Sequence, residues 1–250
     1  MDAGNLSDAA LAAQLAAAAG DLLLERRAAL RADGVTGKPL GAEGDAAANA
    51  LICEALRGAR PDDGLLSEEE KDNPARLAKS RVWIVDPLDG TREFGEERSD
   101  WAVHVALAID GAAVAGAVAL PGAGVVLRSD DPVAVPPPPA RLRMVVSRTR
   151  PAAEALAVAA ALDAEVIPMG SAGAKAMAVV LGQADIYLHS GGQFEWDSCA
   201  PVAVALGHGL HASRIDGSPL VYNQADTYMP DLLICRREHA ALVLGTLAAV

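Results

Sequence analysis

Trp83-Ile84-Val85-Asp86-Pro87-Leu88-Asp89-Gly90-Thr91 is an apolar strand that runs into two carboxylates, a proline, a glycine and a hydroxyl. Val82 to Val85 have the β-branched and aromatic character of a buried strand. Asp86 thus falls at the strand's end, where a rigid element can hold a charged ligand still, and Pro87 is expected to stop the ladder. Asp86, the Leu88 carbonyl and Asp89 offer three hard oxygens within four residues, a set that suits magnesium better than zinc. Gly90 and Thr91 supply backbone N–H groups where a turn or helix begins, and such groups hold phosphate. An Asp-rich turn between a strand and a loop has the same composition, so this stretch alone leaves both readings open.

Composition narrows the field. The 250 residues suffice for one large domain or two small ones. Hydrophobic residues make up 52%, largely alanine, and the formal net charge of -12 argues against nucleic acid polymers as partners. An acidic protein that handles a small anionic substrate needs bound cations or a local basic cluster to reverse the field at its site. Cys53, Cys199 and Cys235 are widely spaced and form no Cys-x-x-Cys pair, so neither a disulfide framework nor a zinc site is indicated, and a reducing cytoplasm fits. Met1 to Asp8 is acidic where a secretory leader is basic, and no signal peptide is expected. The longest uncharged run, Gly111 to Leu127, is broken by Gly116, Pro121, Gly122 and Gly124, so neither a spanning helix nor a membrane partner is expected.

In chain order, Ser7 caps a helix that runs through Leu11, Leu15, Leu22 and Leu23 to about Arg31. Gly34 to Gly44 reads as a glycine-rich loop that delivers Asp45 to the start of a second helix, Ala46 to Leu56, closed by Gly58. Asp45 there is an N-cap or something more. Leu65-Leu66-Ser67-Glu68-Glu69-Glu70 is a short apolar piece ending in three carboxylates, a solvated cluster or a ligand source. Asp100 to Ile109 and Ala112 to Leu120 are strands joined by a tight Asp110-Gly111 turn. Pro132 to Pro139 is a stiff connector, and beyond it strands and helices alternate: Leu142 to Ser147, Ala152 to Leu162, Glu165 to Pro168, Ser171 to Leu181 and Asp185 to His189. An N-terminal α+β half over residues 1–135, with most candidate ligands, is thus set apart from a C-terminal α/β half over residues 140–250. In the second half a glycine loop, Ser190 to Gln193, places Asp197 before a helix reaching about Leu206, where it can cap the helix, ligate a metal, or do both.

Leu66-Ser67-Glu68-Glu69, then Asp86-Pro87-Leu88-Asp89-Gly90-Thr91, then Glu195-Trp196-Asp197 with small residues after it, resemble in order and spacing the signatures of the lithium-sensitive, magnesium-dependent inositol monophosphatase superfamily. Arg92-Glu93-Phe94 after the central motif resembles its CysQ-type branch, as do Val145-Val146-Ser147-Arg148, Gly170-Ser171 to Lys175, Gly182 to Tyr187 and Pro219 to Asn223. The resemblance spans most of residues 36–236. It implies a layered αβαβα sandwich and a 3′(2′),5′-bisphosphate nucleotidase of sulfur metabolism, acting in the cytoplasm as a homodimer. Such an enzyme removes the 3′-phosphate of 3′-phosphoadenosine 5′-phosphate, and in some cases of its sulfated form, to leave AMP.

Carried over residue by residue, the resemblance implies that Glu68, Asp86 and the Leu88 carbonyl hold one magnesium. Asp86, Asp89 and Asp197 hold a second, and Glu68 with Asp45 a weaker third. Thr91 orients the attacking water with Asp45 as its acidic partner, and Gly90 and Thr91 N–H groups grip the phosphate. Asp89, Asp197, Ser147, Arg148, Ser171 and Lys175 complete the substrate contacts, Ser171 and Lys175 toward the 5′-phosphate at a helix start. His189 stands where such sequences often have an arginine, and a protonated histidine there can still donate. The rival activities are an inositol monophosphatase or a fructose-1,6-bisphosphatase on the same metal centre, and a nucleotide sensor without catalysis.

Overall fold

The computed structural model describes residues 6–249; residues 1–5, part of the acidic N-terminal stretch, lie outside the described residues, as does residue 250. Two long helices open the chain, α1 (Asp8–Ala32) and α2 (Gly37–Ala59). A first run of strands comes next: β1 (Gly64–Ser67), β2 (Arg81–Asp89), β3 (Ala102–Ile109), β4 (Ala112–Leu120) and β5 (Val125–Arg128), with the short α3 (Thr91–Gly95) between β2 and β3. They form one sheet in sequence order, β1 parallel to β2 and the rest antiparallel. The second half contains β6 (Arg143–Ser147), α4 (Ala153–Ala161), β7 (Glu165–Met169), α5 (Ala172–Val180), β8 (Ile186–Phe194), α6 (Glu195–Gly207), β9 (His211–Ser213), β10 (Tyr228–Cys235) and α7 (Ala240–Leu247). Its sheet has the order β7-β6-β8-β10-β9.

Strand periodicity explains the layers. Successive side chains on β2 point to opposite faces. Trp83 and Val85 join a core with Leu11, Leu15, Leu23, Leu40 and Ile52 of α1 and α2. Val82 and Ile84 join another with Met177 of α5, Val202 of α6, and Tyr187 and Leu232 of the second sheet. The far face of that sheet, through Met144, Val146, Ile186 and Leu233, packs on Ala155 and Val158 of α4 and Val243 of α7. The result is the αβαβα sandwich, with α5 and α6 as the shared middle layer. Because both faces of the first sheet are covered, residues 82–85 of β2 form an unbroken apolar run rather than an alternating one.

Several sequence expectations hold. Ser7 caps α1, its side chain accepting from Ala10 N (3.2 Å). Asp110 and Gly111 both have positive φ, 49° and 82°, which suits the tight turn between β3 and β4.

Others need correction. Gly34 to Gly44 is not a loop: α2 begins at Gly37, and Asp45 lies inside it, away from its start. Two of the glycines there, Gly41 and Gly44, serve close approach. A Cβ on Gly41 would lie 2.6 Å from Thr91 Cγ2, and one on Gly44 3.0 Å from Phe94 Cε1, so tertiary contact with α3 outweighs glycine's poor helix propensity. Pro87 does not end β2 either. The register shifts between Asp86 and Asp89, and pairing resumes at Asp89 opposite Ala102, so the proline occupies a bulge. Finally, β8 continues through Gly191 and Gly192 to Phe194, and α6 begins at Glu195, which puts Asp197 in its first turn.

The Gly41→Ala substitution is expected to push α2 off Thr91 and to cost about 1–3 kcal/mol of stability, the usual penalty for overpacking. Denaturant unfolding of this variant against the parent chain measures it; unchanged stability would show that the helix does not need the close contact.

Candidate active site

Five backbone elements deliver the acidic residues and Thr91 to one place. The bulge in β2 turns both Asp86 and Asp89 toward the same end of the sheet. Glu68 comes directly after β1, the parallel neighbour of β2, and its N–H donates to Val85 O (3.2 Å), which sets it beside them. Asp197 comes from the first turn of α6, where its carboxylate also accepts from Phe194 N (2.7 Å). Ligand oxygens of Asp86, Asp89 and Asp197 all lie within 4.8 Å of one another. Asp45 reaches in from α2 and Thr91 from the start of α3. The Thr91 hydroxyl sits between two acceptors, Asp45 Oδ2 (3.3 Å) and the Leu88 carbonyl (3.2 Å). Gly90 precedes it with φ 92°, a conformation that favours glycine, and both Gly90 and Thr91 line the cleft.

The charges crowd. Burial, then the Glu68 and Asp89 carboxylates, push the Asp86 carboxyl well above its usual range. Glu68 is raised to about 7 by burial and by Asp197 and Asp89, and Asp197 to about 6 by burial and Asp89. Asp45 is raised to about 8 by burial and by Glu69 and Glu68, and its Oδ1 is buried without a hydrogen-bond partner. Clustered oxygens that repel one another, with an orphaned carboxylate oxygen nearby and neither sulfur nor imidazole in the cluster, fit hard divalent cations.

Asp89 differs from its neighbours. Burial pushes its carboxyl up, but His104 and Lys175, with a hydrogen bond from Ser171, overcome this and hold it well below the usual carboxylate range. The start of α5 supplies the donors: Ser171 Oγ and Gly173 N (2.6 Å) to Oδ2, and Ala172 N (3.0 Å) to Oδ1. His104 Nε2 lies 3.2 Å from Oδ2. His104 is not among the residues that the sequence motifs point to. Its signal was a lone histidine on the apolar alternation Ala102-Val103-His104-Val105-Ala106, facing Asp86 across the β2–β3 ladder.

A cavity of about 490 Å³ opens from these carboxylates. Glu68, Asp89, Gly90, Thr91, Ser147, Arg148, Ser171, Lys175 and Asp197, all predicted, line it; Asp86 and Asp45 lie behind the wall, buried. Ser171 commits its hydroxyl to Asp89, and the Lys175 ammonium turns to the carbonyls of Gly170 (3.2 Å) and Ser171. Arg148 pairs with Glu93 (2.8 Å) and Glu96, while Ser147 Oγ accepts from Arg150 N (3.2 Å). Arg92 and Arg150 also line the cavity, and among the described residues neither has an ion pair, so these two supply the positive field that the acidic chain requires. His189 does not act as a cation here: burial and the Lys175 charge lower it to about 4, and Nε2 donates to Gly191 O (2.9 Å).

The raised carboxyls make a signed prediction. Their folded-state affinities for protons exceed the unfolded ones near pH 4, so their contribution to stability is present in acid and lost as pH rises through about 6 to 8. Metal-free protein is therefore expected to melt at a lower temperature at pH 8 than at pH 5.5, and added Mg²⁺ to restore more stability at pH 8. Thermal scans with and without chelator test this; a metal effect larger at pH 5.5 would contradict it.

Known proteins share both the sequence and the architecture. Residues 6–131 and 140–249 match the inositol monophosphatase family. A 3′-phosphoadenosine 5′-phosphate phosphatase of Mycobacterium leprae is 51% identical, over 98% of this chain and 95% of its own. The 3′(2′),5′-bisphosphate nucleotidase CysQ of Escherichia coli is 30% identical, over 74% of this chain and 80% of its own. Among solved structures, inositol monophosphatase from Anabaena superposes with a TM-score of 0.74 at 22% identity, covering 97% of this chain and 95% of the other. CysQ from Bacteroides thetaiotaomicron superposes with a TM-score of 0.72 at 24% identity, covering 90% and 96%. With the family match running nearly end to end, the chain belongs to the inositol monophosphatase family.

Proposed function

We propose that this enzyme hydrolyses the 3′-phosphate of 3′-phosphoadenosine 5′-phosphate to give AMP and phosphate, with magnesium at the carboxylate cluster. The observation that carries the reading is the 51% identity, along almost the whole of both chains, to a protein named for that activity. The gathering of Glu68, Asp86, Asp89, Thr91 and Asp197 around one cavity supports catalysis over a silent sensor. Buried, unpaired Cys53, Cys199 and Cys235 support a reducing compartment, the cytoplasm. No helix among the described residues is long and apolar enough to cross a membrane.

Glu68, Asp86 and the Leu88 carbonyl would hold one ion and Asp86, Asp89 and Asp197 a second, with Asp45 and Glu68 near a third position. When bound, such ions lower the pKa of water and neutralise charge on the attacking and leaving oxygens. The protein's own groups supply the rest. Thr91 Oγ1 donates its hydrogen to Asp45 Oδ2 and keeps a lone pair for a water in the cleft, so a proton leaving that water can pass through Thr91 to Asp45. Burial with Glu69 and Glu68 raises Asp45 to about 8, so without cations it is largely protonated; bound cations that offset those charges would leave it ionised and able to receive the proton. The N–H groups of Gly90 and Thr91, at the edge of the cavity, would hold the phosphate oxygens, and their dipoles would favour the added negative charge of the transition state.

The cavity beyond Thr91 takes the remainder of the nucleotide. Ser147, Arg148, Ser171 and Lys175 form its walls, and the unpaired Arg92 and Arg150 suit a second phosphate that a monophosphorylated inositol lacks. Among substrates assayed in parallel, the highest kcat/KM is expected for the bisphosphorylated nucleotide. Preference for inositol 1-phosphate or fructose 1,6-bisphosphate would sink the nucleotidase reading. Asp86→Asn is expected to lower kcat by at least about 1,000-fold while the protein keeps its circular dichroism spectrum, because ligand charge goes and side-chain shape stays. Retained turnover would remove Asp86 from the metal site.

A further inference from the structure

His104 is fully buried on β3 and stands where three elements meet. Its Nδ1 donates to the carbonyl of Trp196 (3.1 Å), the residue before Asp197 in the first turn of α6. Its Nε2 faces Asp89 Oδ2 at 3.2 Å. The third element, α5, is shaped around the ring: a Cβ on Gly173 would lie 2.1 Å from Nε2, so only glycine there admits the imidazole. The neighbouring positions on this face of β3 are Ala102 and Ala106, small enough to leave the ring its space.

Counting lone pairs shows what the contact does. Asp89 Oδ2 accepts from Ser171 Oγ and Gly173 N, which fill its two lone pairs, and the His104 ring packs against it with Nε2 at 3.2 Å. Oδ1 takes a single donor, Ala172 N, and keeps one lone pair. The carboxylate is thereby held with one oxygen toward the protein and the other available to the cluster with Asp86 and Asp197.

We infer that His104 is a positioning residue of the metal centre, a bridge that sets Asp89 from the first sheet and the α6 turn carrying Asp197 at a fixed mutual distance. This rests on the reading of Asp89 and Asp197 as metal ligands. Outer-shell partners of metal ligands are typically worth about 10–100-fold in metal affinity.

The test is metal affinity rather than turnover. Mn²⁺ is titrated into metal-free protein and the free ion followed by its electron paramagnetic resonance signal, with the melting temperature of the metal-free form as a check on folding. Three substitutions divide the ring's contacts. His104→Leu removes both, His104→Gln places an amide N–H near the Nε2 position, and His104→Asn places one near Nδ1. Leu is expected to weaken Mn²⁺ binding by about 10-fold or more. Gln and Asn each keep one of the two contacts and are each expected to recover part of the loss, neither all of it. Wild-type affinity in the Leu variant, or in either single-contact variant, would overturn the inference. Should the Leu variant not fold, the Gln and Asn variants decide alone. Asp86→Asn in the same titration separates the two readings. Loss of binding there with no effect of any His104 variant refutes only the bridge, whereas absence of Mn²⁺ binding by the parent protein refutes the metal centre as well.

Discussion

The buried carboxylate of Asp89 is the joint on which the molecule turns. It belongs to β2 of the first sheet, yet its hydrogen bonds come from Ser171, Ala172 and Gly173 at the start of α5, beyond the proline-rich connector. A buried carboxylate without donors would be expensive, and a helix N-terminus without an acceptor would leave its N–H groups unpaired; each satisfies the other. This single set of contacts fixes the middle layer against the first sheet and leaves one oxygen to the carboxylate cluster.

Around that joint the site stays under electrostatic load. Asp86, Glu68, Asp197 and Asp45 all have proton affinities raised above normal, because burial and their own mutual repulsion disfavour the ionised forms. A fold tolerates such a cluster when the surrounding elements are rigid and a cation can relieve it. The first condition holds here: β2 is covered on two faces, Asp86 and Asp89 lie within it, Asp45 lies inside α2, Asp197 sits in the first turn of α6, and Glu68 follows β1 directly. The raised proton affinities and the fit to hard cations are thus two aspects of the same crowding.

The unpaired cationic groups of the cavity come from outside the carboxylate cluster. Arg92, beside the central motif, and Arg150, after β6, come from the two halves of the chain, and both face the cavity without a carboxylate partner among the described residues. Arg148, by contrast, is held by Glu93 and Glu96, and the motif Arg92-Glu93-Phe94 therefore divides its labour: Arg92 faces the cavity, Glu93 orients an arginine from the other half, and Phe94 packs edge-on against Trp101 (5.1 Å between centroids). An overall charge of -12 is compatible with an anionic substrate because the cationic groups are local.

Much of this was legible in the linear chain. The apolar run into Asp86-Pro87-Leu88-Asp89-Gly90-Thr91 marked a strand with an acidic turn at its end, the Asp110-Gly111 pair marked a hairpin, and the later alternation of strand and helix marked the second half, because these signals are local in period and turn chemistry. Glycines misled at α2: Gly37, Gly41 and Gly44 read as a loop, while in the folded chain Gly41 and Gly44 let a helix touch α3, a contact about 50 residues away that propensity cannot register. Pro87 misled likewise, since a bulge that re-aims Asp89 looks from the sequence like the end of a strand. The sequence by itself determined which oxygens and hydroxyls were available and the family they belong to. Only the tertiary structure decided that His104 bridges Asp89 and the α6 turn, that Ser171 serves the carboxylate, and that His189 is neutral, because hydrogen-bond partners and desolvation arise from residues distant in the chain.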